Sequence, residues 1–110
     1  MIENEKKLFE DFKLKLIEEY GYAEDEIVFE PRELVISSRK RYEPDIVVYQ
    51  NNKPYIVIEL RHRYIHKEFD KIHDIVLTSA KFFKAPYFAI ASLEFIDAFK
   101  IEDDSVLSIN

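Results

Sequence analysis

Apolar positions along the chain change their spacing several times, and each change marks an element. Between residues 4 and 20, Leu8, Phe9, Phe12, Leu16 and Tyr20 recur on one helical face. Gly21 stands where a left-handed C-terminal cap belongs, so a first helix is predicted to end near Tyr20. Ile27-Val28-Phe29-Glu30 and Leu34-Val35-Ile36 read as short strands separated by Pro31, and two longer strands follow at 45–49 and 55–61 with Asn51-Asn52-Lys53 as their turn. A second helix is predicted over about 65–83. Ile65, Phe69, Ile72, Val76, Ala80 and Phe83 form its stripe, with Ile75 and Phe82 beside it. Ala85-Pro86 stops that helix, 87–91 reads as a buried strand, and 95–101 pairs with 106–109 across Asp103-Asp104. The pattern holds no internal repeat or long linker, and it predicts one α/β domain over residues 1–110.

Glu59 breaks the apolar run of the second long strand. Alternation puts Tyr55, Val57, Glu59 and Arg61 on one face and Ile56, Ile58 and Leu60 on the other. A carboxylate on a central strand costs several kcal/mol, on the order of a lost buried polar contact or more, unless it is paired or binds a cation. Asp45 is the expected neighbour. A three-residue loop, Asn51 to Lys53, would set Asp45 opposite Glu59, whereas a two-residue loop would set it opposite Ile58. Two adjacent carboxylates are reconciled by a shared proton, a basic neighbour or a divalent metal. Mg²⁺ (or Mn²⁺) suits an oxygen-only site of Asp45, Glu59 and a carbonyl such as that of Leu60; an ion pair with Arg61 or Arg63 would account for the same burial.

The chain has no cysteine, which excludes disulfides and thiolate ligands and suits a cytoplasmic protein. No apolar run reaches the roughly 18 residues of a membrane span, so no membrane role is expected. The net charge of −6 argues against a nucleic-acid partner until its distribution is considered. Residues 1–36 carry 5 basic and 11 acidic side chains, residues 37–84 carry 10 and 6, and residues 85–110 carry 1 and 5. The basic centre includes Arg39-Lys40-Arg41 on one side of the hairpin and Arg61-His62-Arg63 with Lys67 on the other, as a phosphate-facing surface would; ordinary solvated charge gives the same pattern.

Pro44-Asp45, then thirteen residues, then Glu59-Leu60-Arg61 resembles the signature of the PD-(D/E)xK nuclease superfamily. The likeness extends through Glu5, Leu16-Ile17-Glu18-Glu19-Tyr20-Gly21-Tyr22, Arg41-Tyr42-Glu43-Pro44-Asp45, Lys53-Pro54-Tyr55 and Ala85-Pro86-Tyr87. Over roughly residues 4–92 it is similar to the N-terminal nuclease domain of type I restriction enzyme R subunits. The resemblance implies a restriction-endonuclease-like core, a central mixed β-sheet flanked by two main helices. It also implies a Mg²⁺-dependent DNA endonuclease in which Asp45 and Glu59 bind the metal and the helix-1 acid Glu5 assists. On helix geometry Glu5 falls within about 20° of Phe12, on the core-facing side; an acid in a first turn is also favoured by the helix dipole.

Two positions depart from that family. Arg61 stands where the family has a lysine, and arginine keeps the charge but cannot take a proton from water. Ile75 and Ser79 stand near the positions of a Gln and a Tyr on the second helix. The alternative expectation is therefore a catalytically degenerate nuclease fold that binds nucleic acid or protein. Surplus apolar surface at Ile75 and Phe82 makes a homodimer through residues 65–84 a further expectation. His66, Asp70 and His73 share i, i+4, i+7 spacing, which suits Zn²⁺ or ordinary solvated side chains.

Overall fold

Helix α1 (Glu3–Glu18) forms where the apolar stripe predicts, and its core side chains Leu8, Phe9, Phe12 and Leu16 are buried. It ends two residues earlier than the spacing suggests. Gly21 lies at φ +77°, and the Tyr22 N–H donates to the Leu16 carbonyl at 3.1 Å, so the chain reverses through the left-handed conformation glycine tolerates. The computed structural model describes residues 3–29, 35–37, 40–41, 44–61, 69–102 and 105–108.

Strands β1 (Ile27–Phe29), β4 (Ile46–Gln50), β5 (Lys53–Leu60), β6 (Tyr87–Ala91), β7 (Ile96–Glu102) and β8 (Ser105–Ser108) make one mixed sheet in the order β1-β4-β5-β6-β7-β8. Strands β2 (Val35–Ser37) and β3 (Lys40–Arg41) form a separate antiparallel pair, of which the apolar pattern foresees only β2. Helix α2 (Phe69–Phe83) lies between β5 and β6, which run parallel, as a crossover helix allows. The predicted start of this helix, 65–68, falls outside the described residues.

Alternation along the central strands divides the core. Ile46, Val48, Ile58, Leu60, Ala89 and Ala91 pack with Leu8, Phe9, Phe12 and Leu16 of α1. Val47, Val57, Phe88 and Ile90 face the other way, onto Ile72, Val76 and Ala80 of α2. Both faces of β4, β5 and β6 are thus covered, which explains their near-continuous apolar sequence. Ile75 and Phe82 remain exposed on α2, at 46% and 42%. Among the described residues, no helix is long and apolar enough to cross a membrane.

The β4–β5 hairpin corrects one expectation. Its turn has two residues, Asn51 and Asn52, with φ of 54° and 62° as a type I′ turn requires, and Lys53 and Pro54 already belong to β5. Gln50 pairs with Lys53 and Tyr49 with Pro54, a register that, continued, would bring Asp45 opposite Ile58. The register shifts instead. Val48 pairs with Ile56, Val47 with Val57 and Ile46 with Ile58, so Tyr55 is an inserted residue at a bulge. One further step brings Asp45 opposite Glu59. Asn52→Val, which places a β-branched side chain in the left-handed region, is expected to lower stability by about 1–2 kcal/mol. Asn52→Gly is expected to leave it unchanged or raise it, and urea denaturation of both variants checks this.

Candidate active site

Asp45 and Glu59 lie at the end of the sheet where parallel strands β5 and β6 finish, on the face that α2 covers. This is the end at which open α/β sheets leave a crevice for ligands. The position is fixed by backbone hydrogen bonds. The Leu60 N–H donates to Asp45 Oδ2 at 2.8 Å, and the Arg61 N–H donates to the Ala91 carbonyl at 2.8 Å, which extends the β5–β6 pairing by one residue. Beside it, buried Ser92 accepts the N–H groups of Glu94 and Phe95 on Oγ at 3.1 and 3.3 Å and closes the turn after β6. Apolar spacing does not reveal Ser92, although serine at the exit of a buried strand is a turn signal.

The electrostatics follow from that placement. Burial and the neighbouring Glu59 charge push the Asp45 carboxyl up to about 8, a hydrogen bond with Glu59 adds to the rise, and the Leu60 N–H and Arg61 charge oppose it. Asp45 therefore keeps its proton near neutrality. Glu59 is 15% exposed, and its Oε2 lies 2.6 Å from Arg61 Nη1. The same nitrogen donates to the Leu60 carbonyl at 3.0 Å. A proton and a guanidinium, two of the three ways to reconcile adjacent carboxylates, are both in use.

The other expected site residues are placed less fully. Glu5 belongs to the first turns of α1, whose buried side chains pack on the opposite face of the sheet, and its side chain falls outside the described residues. Arg39, His62, Arg63 and Lys67 also fall outside them, while Lys40 and Arg41 are described in backbone only, as β3. Of the spacing that suits Zn²⁺, His66 lies outside the described residues. His73 stands edge-on to the rings of Phe88 and Phe99, at 5.1 and 4.9 Å, so its imidazole packs with the sheet. Ser79 is buried in α2 and Ile75 is exposed.

The type I restriction enzyme R protein N terminus matches residues 5–106. The chain belongs to this family. No curated protein and no solved structure gives a significant match. The R protein N terminus is a nuclease-like domain, and the mixed six-stranded sheet with α1 and α2 is the architecture expected from that likeness.

The donor set fits a hard divalent cation in kind: the carboxyl groups of Asp45 and Glu59 and the Leu60 carbonyl are all oxygen donors, with burial and the Glu59 charge holding the proton on Asp45. Among the described residues, no group of three His, Asp or Glu side chains converges. The raised Asp45 group has a consequence for stability. The fold accommodates the protonated form, so Asp45's contribution is fully present below its ordinary value of 3.8 and is lost as pH rises through about 8. Asp45→Asn keeps an oxygen for the Leu60 N–H without the charge. Metal-free thermal melts from pH 4 to 9 are expected to show the variant level with wild type at the acid end and the more stable of the two at pH 8.

Proposed function

We propose that this domain is a Mg²⁺- or Mn²⁺-dependent endonuclease module that cleaves DNA phosphodiester bonds. The observation that carries this reading is the Asp45–Glu59 carboxyl pair, joined to Leu60 at the open end of the parallel strands. Asp45, Glu59 and the Leu60 carbonyl would hold the metal, with Glu5 assisting from α1. When bound, the cation supplies Lewis-acid stabilisation of the phosphoryl oxygens and a water acidic enough to attack.

The chain's own residues orient the rest. Arg61, fixed at its backbone by Ala91, presents a guanidinium whose side chain is 37% exposed and whose remaining N–H groups can donate to non-bridging phosphate oxygens. It cannot serve as a base, because a guanidinium stays protonated in proteins. Arg39, Lys40, Arg41, His62, Arg63 and Lys67 are the basic and histidine side chains assigned to the DNA backbone, in a segment with net charge +4 inside an acidic chain. The exposed Ile75 and Phe82 give α2 a surface for a homodimer through residues 65–84.

A second reading, a degenerate nuclease fold that only binds, is favoured by one specific observation: Arg61 closes an ion pair onto Glu59. Cleavage of labelled duplex and single-stranded DNA with Mg²⁺ or Mn²⁺ separates the two. Wild type is expected to cut, Glu59→Ala to fall to background, and Arg61→Lys to cut about tenfold faster or more, a change of about 1.4 kcal/mol in the barrier. Inert wild type with active Arg61→Lys supports the binding-only reading. Inertness of all three overturns the nuclease reading for those substrates.

A further inference from the structure

The guanidinium of Arg61 lies where a cation bound to Glu59 and the Leu60 carbonyl would lie. One nitrogen, Nη1, contacts Glu59 Oε2 at 2.6 Å and the Leu60 carbonyl at 3.0 Å, and these belong to two of the three donor groups available to a metal. Mg²⁺ requires oxygens at about 2.0–2.1 Å. A nitrogen in contact with both oxygens and an ion in contact with both oxygens exclude one another.

We propose that Arg61 is a built-in counter-ion of the site, displaced when the metal enters, so that metal binding releases its guanidinium toward the phosphate. The proposal rests on the reading of Asp45, Glu59 and Leu60 as metal ligands. The main chain at Arg61 stays fixed by its hydrogen bond to Ala91, so the exchange is a side-chain rotation. Its side chain is 37% exposed against 15% for Glu59, which leaves the guanidinium a route outward while the carboxylate stays in place. A lysine at this position has a single ammonium on an unbranched stem and no planar fork to span a carboxylate and a carbonyl in one rigid group. The departure from the family's lysine therefore sets two properties together: weak metal binding in the free domain and a phosphate contact that appears only after the metal is bound.

Direct metal binding tests this apart from activity. Mn²⁺ affinity would be measured by calorimetry on the whole chain for wild type, Arg61→Ala and Glu59→Gln, at 0.1 and 0.5 M KCl. Arg61→Ala is expected to bind Mn²⁺ about tenfold more tightly than wild type or better, with the ratio retained at high salt, where the Debye length is only about 4 Å and remote charge is screened. Glu59→Gln is expected not to bind. Equal affinity of wild type and Arg61→Ala, or a difference that disappears at 0.5 M KCl, overturns the displacement and leaves the metal site standing. Absence of binding in all three overturns the metal site, and the displacement with it. Should Arg61→Ala fail to fold, ¹⁵N spectra of the wild-type Arg61 guanidinium decide: a shift with faster hydrogen exchange on saturation with Mg²⁺ is expected, and binding with no change at Arg61 overturns the proposal.

Discussion

Two carboxyl groups placed on one face of an antiparallel pair must be neutralised within the fold, and the surroundings of Asp45 and Glu59 are organised by that requirement. Their side chains point to the α2 side of a sheet that is covered on both faces, so water is an incomplete source of relief. The proton retained by Asp45, the Leu60 N–H on Asp45 Oδ2 and the Arg61 guanidinium on Glu59 each remove part of the repulsion. By bringing the two acids opposite each other, the bulge at Tyr55 adds the Glu59 charge to the cost of burying Asp45.

The hairpin illustrates how a local irregularity fixes a functional register. A type I′ turn at Asn51-Asn52 is the arrangement that matches strand twist best, but by itself it would pair Asp45 with Ile58 and leave Glu59 facing no acid. The inserted Tyr55 keeps the favourable turn and shifts the register by one residue. Bulges near sites of chemistry commonly re-aim side chains in this way. Here the bulge lies at the far end of the hairpin from the carboxyl pair, so the strands remain regular from Val48 to Ile46 and hold the acids in fixed positions.

Much of the architecture is legible in the sequence because its strongest signals are periodic. The stripe of Leu8, Phe12 and Leu16, the Gly21 cap and the alternation from Ile56 to Leu60 each correspond to an observed element or face, whereas the bulge turns Tyr55 to the α1 side beside Tyr87, against the expected alternation. The pairing of Asp45 with Glu59 is legible from the isolated charge in an apolar strand. The route to it is not: a single extra residue in a strand leaves no mark on hydrophobic alternation, so a three-residue turn and a two-residue turn with a bulge look alike in sequence. β3 is also missed, since Lys40-Arg41 has no apolar residue to reveal a strand. The position of the Arg61 fork on both Glu59 and the Leu60 carbonyl depends on a rotamer, which spacing does not encode.

The most direct test of the carboxyl pair as the organising feature is a ¹³C titration of the side-chain carboxyl of Asp45 by NMR, with and without Mg²⁺. Without metal the resonance is expected to titrate near 8, and Mg²⁺ is expected to move the midpoint well down as the cation replaces the proton. A midpoint near 3.8 without metal would contradict the account, since it would mean that Asp45 and Glu59 do not share the charge of one site.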